Sequence, residues 1–334
     1  MRGITIARVA AEAGVGVGTV SRVLNGSPSV SAGTRKRVLD AIATLDYQPS
    51  ATARALSTGR TNAIGVVAPF FTQPSVIERL RGVSRTLAEA GFQLVLHDIE
   101  RPDQRSVLFR SLATRGRIDG LLAISLAPSE REARRLQRAG VPIVLLDREH
   151  ATLPCISIDD LAGGRMATEH LLALGHRRIA FIGDEEANLF GFDSSARRRA
   201  GFEAAMAAAD ATLEPDWIRR RPHGRNAARQ AAAELLERDP RPTAVFASSD
   251  MQALGVLEAA QAAGVSVPAE LSVIGFDDVE AATYTGLTTV AQPLEQIGSL
   301  GAELLLRAVS GEKVYSHRMP LELIERGTTA GVSC

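Results

Sequence analysis

Two short helical periodicities separated by a glycine-bearing break fill Thr5–Asn25, TIARVAAEAGVGVGTVSRVLN, and they constrain the chain more than any other stretch. Ile6, Val9, Ala10 and Ala13 recur at helical spacing. Gly14–Val15–Gly16 interrupts the run, and Val17, Val20, Val23 and Leu24 resume it. Thr5 stands where an N-cap belongs. Two short helices joined by such a turn predict a helix-turn-helix, whose second helix enters the DNA major groove while the first crosses the backbone. A helical hairpin packed on a neighbouring domain would give the same periodicity.

The next residues separate these readings. Ser31 is a candidate N-cap for a third helix running from Ala32 towards Leu45, with Val38, Leu39, Ile42 and Leu45 on one face. Three small helices then share a minimal core of Val9, Val20, Val23, Val38, Ile42 and Leu45. Residues 1–60 carry eight Arg or Lys against three acids, a net +5, which leaves −5 on the other 274 residues of a formally neutral chain. A basic head on an acidic body suits a polyanion-binding module tethered to a regulatory domain, although a solvated basic face has the same composition. GVGVG half-matches a dinucleotide fingerprint, but that fingerprint follows a strand and here a helix precedes it.

These residues, with later ones, resemble the LacI/GalR (lac-repressor) family of bacterial transcription regulators. The likeness begins in TVSRVLN, VSAGTRKRV and LDYQPSATARALSTGRTNAIGVV. It continues in VPIVLLDRE, ATEHLLALGHRRIAFIG, SARRRAGFEAAM, ASSDMQALGVLEAA, LSVIGFDDVEAATYTGLTTVAQP and LELIERG, over essentially the whole chain.

For the head, the resemblance implies base-reading positions at Val17, Gly18 and Arg22. Arg22 can pair bidentately with guanine, Val17 can touch only an apolar surface such as a thymine methyl, and Gly18 reads nothing. Thr5, Thr19, Ser21, Asn25, Ser31, Thr34 and Arg35 supply donors of the kind that hold phosphates. Gly16 departs from the serine usual at the second helix's N-cap. Ser50–Ser57 reads as a hinge shorter than the roughly 12–15 residues an isolated helix needs, so it is expected to become helical on DNA. Leu56 takes the family's place for a leucine wedged between bases in the minor groove, with Ala53 and Ala55 leaving room for two hinges to pack. A Leu56 that packs on the regulatory domain is the alternative.

From Asn62 onward short β-rich runs alternate with helical stretches. Candidate strands are Ala63–Ala68, Gln93–His97, Gly120–Ser125 and Pro142–Leu146, then Arg178–Gly183, Thr243–Ala247 and Leu271–Gly275. Helices Ile77–Ala90, Gln104–Arg115, Glu130–Ala139, Arg198–Ala209, Ala227–Glu237 and Met251–Ala263 lie between them. Two such series predict two doubly wound parallel sheets with a cleft at their carboxyl ends. The expected fold is therefore an all-α helix-turn-helix head plus an α/β body of two lobes, similar to periplasmic binding proteins. The expected division is a DNA-binding domain over 1–46 and a hinge over 47–61. An N-terminal lobe follows over 62–161 and 291–320, and a C-terminal lobe over 162–290 and 321–334.

The resemblance implies effector contacts at Asp147, Arg198, Asp250, Asp277 and Gln292, with Phe71, Gln73 and Ser125 on the first lobe and His223 where an aromatic is usual. Carboxylates and an arginine suit a polyhydroxylated ligand, a sugar or sugar derivative. Asp147, Asp250 and Asp277 could instead cap helices that follow strands. Two departures leave the ligand open: APFFTQPSV lacks the usual aspartate and asparagine, and Ser249 replaces an asparagine.

No catalytic constellation stands out, and His97, His150, His170, His176, His223 and His317 show no metal spacing, so neither enzyme activity, metal nor cofactor is expected. A sugar-binding protein without gene regulation, or an enzyme on the same lobes, are the competing classes. No apolar run approaches the roughly 20 residues of a spanning helix. The amphipathic N-terminus is unlike an export signal. Cys155 and Cys334 stand alone, as in a reducing compartment. A cytoplasmic, nucleoid-associated protein is expected, with no membrane partner. No leucine heptad follows Ala330, so a homodimer on a pseudo-palindromic DNA operator is the expected assembly.

Overall fold

The structure, a computed structural model, describes residues 4–24, 26–47, 60–114, 116–185 and 190–332. It divides into two compact units, Met1–Thr61 and Asn62–Cys334. Asn25, the 50–57 hinge with Ala53 and Leu56, and Cys334 lie outside the described residues.

In the first unit α1 (Ile6–Ala13), α2 (Val17–Leu24) and α3 (Ala32–Thr44) surround a small apolar core. Gly14 takes φ 63° to end α1, and the Val15 N–H returns to the Ala10 carbonyl at 3.0 Å. Glycine adopts this left-handed conformation without a Cβ penalty. The Gly16 carbonyl then accepts from the Thr19 and Val20 N–H groups, opening α2 without a side-chain cap. Thr5 occupies the N-cap position of α1, but its hydroxyl makes no capping bond. Ser31 does cap α3, its Oγ accepting from the Thr34 N–H.

Val9, Val20, Val23 and Val38 are buried as expected, while Ile42 and Leu45 are half-buried. Leu39 is corrected: it is 51% exposed. At ~100° per residue it faces away from Val38, whereas Ala41, Ile42 and Leu45 return to the same face. Ala10, Ala13, Ala41 and Tyr47 complete the core.

The second unit alternates strands and helices. Its first half contains β1 (Ala63–Pro69), α4 (Pro74–Glu89), β2 (Gln93–Ile99), α5 (Pro102–Leu112), β3 (Gly120–Ile124), α6 (Glu130–Arg138), β4 (Ile143–Leu146) and β5 (Cys155–Ser157). The second half contains α7 (Asp160–Ala173), β6 (Ile179–Asp184), α8 (Ser194–Ala208), β7 (Ile218–Arg221), α9 (Arg225–Leu236), β8 (Ala244–Ala247), α10 (Asp250–Ala262), β9 (Ser272–Asp277), α11 (Glu280–Thr285) and β10 (Thr288–Ala291). Then α12 (Leu294–Val309), β11 (His317–Arg318) and β12 (Glu322–Ile324) return across both sheets.

One sheet has the order β11-β5-β4-β3-β1-β2 and the other β12-β10-β9-β8-β6-β7. All pairings are parallel except β10 with β12. The chain passes between the sheets three times: from β5 to α7, from β10 to α12, and from β11 to β12. Strands β1, β3 and β4 are buried along their whole length, as expected of sheets covered on both faces.

Helices α4 and α8 begin three to four residues before their apolar periodicity, at Pro74 and Ser194. Those first turns face the cleft described below, so they carry Ser75, Ser194 and Ser195 in place of core residues. Both helices are also held close to a neighbour. A Cβ on Gly298 of α12 would lie 2.0 Å from the Arg79 carbonyl, and one on Gly164 of α7 would lie 2.0 Å from the Arg198 carbonyl.

Candidate functional site

In the first unit, α2 presents Val17, Gly18 and Arg22 to solvent, with Val17 45% exposed. The Arg22 Nε donates to the Gly18 carbonyl at 3.3 Å, laying the side chain back along the helix start. Thr19 and Ser21 are half-buried on the same helix. Ser31 donates its hydroxyl to Thr34 Oγ1 at 3.0 Å. Arg35 donates from Nη2 to the Ser27 carbonyl at 2.6 Å, so it braces the turn between α2 and α3. Arg8, Arg22, Lys36 and Arg37 leave this unit basic and exposed. That is the form of a head carrying a recognition helix.

In the second unit a cavity of about 460 Å3 opens between the sheets, at the carboxyl ends of their strands. Parallel sheets place sites there because each strand ends in a loop facing the crevice. Phe70, Ser125, Asp147 and Asp277 sit at or just after the ends of β1, β3, β4 and β9, and each has positive φ: 51°, 54°, 64° and 118°. Such backbone costs on the order of 1–3 kcal/mol in non-glycine residues and gathers at ligand sites.

The cavity floor is a relay of buried charges. Arg79 of α4, 2% exposed, donates from Nη1 to the Ser75 carbonyl at 3.1 Å and from Nη2 to Gln292 Oε1 at 2.9 Å. Its Nη2 also lies 3.2 Å from Asp147 Oδ1, while Ser125 donates to Asp147 Oδ2 at 2.9 Å. Gln292 donates from Nε2 to Asp277 Oδ1 at 2.6 Å. Arg198 of α8 completes the relay, donating to Asp160 Oδ1 at 2.8 Å, to the Ser248 carbonyl at 2.6 Å and to Asp277 Oδ1 at 3.5 Å. Its guanidinium lies 3.6 Å from the centre of the Phe276 ring.

Burial raises the pKa of Asp277 despite Arg198 and Arg79, and it raises Asp160 to about 6 against the opposing pull of Arg198. Burial alone would lower the Arg198 pKa, but Asp160, Asp277 and Asp147 raise it, so its charge is secure.

A second polar group lies on the β6 side. Asp184 Oδ1 accepts from Gln252 Nε2 at 2.9 Å and lies 3.0 Å from His223 Nδ1. Ser195 accepts from the Asp184 N–H and donates to Ser248, and Ser248 donates to Gln252, which closes a ring. Burial works against a charged His223, yet its hydrogen bond to Asp184 and the nearby carboxylates raise its pKa overall.

Of the positions read from the sequence, Gln73, Ser125, Asp147, Arg198, His223, Asp277 and Gln292 come together around this cavity. Phe71 and Asp250 do not line it. Phe70 takes the place expected of Phe71, because its left-handed backbone turns it inward. Asp250 is fully buried, accepting from Thr289 Oγ1 at 2.6 Å and from the Val279 N–H at 2.9 Å. Its carboxyl group is consumed in tying β10 and the loop after β9 together. It is not the cap of α10 either, since Ser249 holds that position and accepts from the Gln252 N–H.

Sequence reasoning missed Arg79, Asp160, Asp184, Phe190 and Phe192. Arg79 and Asp160 fall inside helices, where charges read as surface residues. Only the pairing of Arg79 with Gln292, 213 positions away, reveals the relay.

Comparison with known proteins fits both halves. The model for bacterial regulatory proteins, lacI family, matches residues 5–50, and that for a periplasmic binding protein-like domain matches residues 168–329. The HTH-type transcriptional regulator CelR of Thermobifida fusca is 36% identical over 329 residues, covering 95% of each chain. A solved CelR–cellobiose complex is similar with TM-score 0.71 and 33% identity, covering 97% of this chain and 99% of that one. The lac repressor dimer bound to operator and the anti-inducer ONPF is similar with TM-score 0.86 and 27% identity, covering 98% of this chain and 100% of that one. With its recognition helix, its two-lobed cleft and a relative this similar over nearly the whole of both chains, the protein belongs to the lacI family of bacterial regulatory proteins.

Proposed function

We propose that this chain is a transcriptional repressor whose hold on its operator is set by a small saccharide bound in the cleft. The observation that carries the reading is the joining, in one chain, of a basic head with an exposed recognition helix to a cavity floored by paired carboxylates and arginines. Such a floor suits hydroxyl groups: Asp147, Asp277 and Gln292 accept from them, and Arg198 donates charge-assisted bonds. The cellobiose held by the CelR relative supports a saccharide, and the lac repressor dimer on its operator supports a homodimer reading a two-fold site.

In this reading residues 1–46 bind DNA, 47–61 link, and the rest form two effector lobes. Val17, Gly18 and Arg22 face the groove, with Thr5, Thr19, Ser21, Ser31 and Thr34 towards phosphates. The protein works in the cytoplasm on chromosomal DNA; among the described residues no helix is long and apolar enough to cross a membrane. It is a regulator and not an enzyme.

The test is selection of bound duplexes from a random pool by the purified protein, with and without a mixture of sugars. A recovered pseudo-palindrome, strengthened or lost with sugar, is the expected result, because DNA and effector must change each other's affinity reciprocally. No enrichment in either condition would overturn the proposal.

A further inference from the structure

Three phenylalanines stand at this cavity with no role in the floor relay. Phe70 comes from the end of β1, in the APFFTQPSV loop, while Phe190 and Phe192 precede α8 on the other side of the cleft. Phe70 and Phe190 meet edge to face across the opening, with ring centroids 5.6 Å apart. Phe190 and Phe192 follow at 5.7 Å. Phe190 also packs against the apolar cluster around Leu126 and Leu153 under the first sheet, so it reaches across from one lobe to the other.

Phe70 nevertheless remains 37% exposed, a large aromatic turned into a concave space. Its inward pose depends on a left-handed backbone, φ 51°. Strain of that kind persists where the surroundings hold it for a purpose.

We infer that the cleft contains a second sugar subsite, walled by Phe70, Phe190 and Phe192, which selects a neutral disaccharide over its single sugars. This rests on the saccharide reading given above and assigns residues to the second ring.

Size supports it. The twelve non-hydrogen atoms of a hexose, at or below a water's share of about 30 Å3 each, fill at most about 360 Å3. The cavity holds about 460 Å3 and stands open to solvent, so a single ring does not fill it and a longer ligand can extend towards the mouth. Chemistry supports it as well. Sugar rings carry apolar C–H faces, which suit aromatic walls, while their rim hydroxyls can reach Asp184 and His223 on the β6 side.

Charge sets the remaining limit. Asp147, Asp184, Glu185, Asp193 and Asp277 line the cavity against Arg79, Arg148, Arg198 and His223. Both buried arginines are already matched to carboxylates, Arg79 to Asp147 and Arg198 to Asp160 and Asp277. Arg148 is paired with Asp193 at 2.6 Å and His223 with Asp184 at 3.0 Å, so among the described lining residues each cation already faces a carboxylate, and an anionic sugar would meet the surplus of carboxylates.

The experiment is calorimetric titration of the full-length protein with glucose, galactose and xylose, with cellobiose, maltose, lactose and xylobiose, and with an octyl glucoside. At least one disaccharide is expected to bind about tenfold or more tighter than every monosaccharide. Phe190→Ala and Phe70→Ala should each weaken that disaccharide by about tenfold and the monosaccharides by much less. Phe70→Leu, which keeps the apolar bulk and so the fold, should reproduce the direction of the Phe70→Ala result, and melting curves report folding in every variant.

A monosaccharide that binds as tightly as any disaccharide would overturn the second subsite while leaving the saccharide reading in place. Equal losses for one and two rings in the phenylalanine variants would do the same. Octyl glucoside binding as tightly as the best disaccharide would show a box for apolar surface, which also overturns the proposal. Binding of none of these probes would overturn both the subsite and the saccharide reading.

Discussion

Arg79 and Asp277 belong to opposite lobes and are joined by one side-chain amide: Gln292 accepts from the arginine at 2.9 Å and donates to the aspartate at 2.6 Å. No other residue type of this size serves both ends. An amide presents an acceptor and a donor together, whereas a carboxylate would confront Asp277 and an alkyl group would satisfy neither side.

Gln292→Leu is therefore expected to destabilise the body by about 1–3 kcal/mol, the cost of leaving buried polar partners unpaired. Urea denaturation checks this, with the same variant showing a weakened effector response in a DNA-binding assay. Unchanged stability together with an unchanged response would show the relay to be idle.

Asp250 predicts a pH dependence. Burial raises its pKa from the usual carboxylate range to about 8, with the Asp277 charge adding to the effect. The folded protein then binds a proton that the unfolded chain releases near pH 4, so this residue's contribution is full at low pH and fades as pH rises through about 8. Between pH 5 and 8 Asp250→Asn should flatten the fall in stability, by up to about 1.4 kcal/mol per pH unit. Thermal melts of both proteins across that interval are the measurement. Parallel curves would refute the assignment.

Gly164→Ala should cost about 1–3 kcal/mol or more, since the new methyl would sit 2.0 Å from the Arg198 carbonyl and must push α8 from α7. The displaced Arg198 should also lose effector affinity. Gly33→Ala is the matching control: it is helical too, and nothing lies within 4 Å of its Cβ position. It should be neutral or stabilising by up to about 1 kcal/mol. Chemical denaturation of the two variants side by side decides between a close contact and a general helix effect.

Arg22 and Arg35 should separate cleanly. Arg22 is exposed at the recognition helix, so Arg22→Ala should relax preference at one base pair of each half-site, by about 1–3 kcal/mol. Arg35 braces the Ser27 carbonyl, so Arg35→Ala should lower the stability of the head and weaken all sequences alike. Binding to a set of single-base operator variants distinguishes them, and an unchanged preference profile for Arg22→Ala would remove it from base reading.

The chemistry of caps and strand ends was legible before the structure. Ser31 announced α3 because its hydroxyl has a partner only three residues away, and Gly14 announced the turn because few other residues accept its backbone. Most of the cavity was legible through motif likeness. Asp250 shows where that likeness misleads: the same residue that follows β8 is turned behind the cleft by Thr289, a partner 39 positions distant. Phe190 and Phe192 sit in irregular chain with no periodicity to mark them. Leu39 was misplaced by a single step of helical rotation.

The triple passage between the sheets has a mechanical consequence. A single linker would let one lobe slide, twist or swing against the other. Three plies running side by side, after β5, β10 and β11, resist sliding and twisting, since either would stretch at least one of them. What remains soft is bending of the strap, a motion with one coordinate. Gln292 lies within the second ply, between β10 and α12, so a group that pulls on the cavity floor pulls on the strap itself.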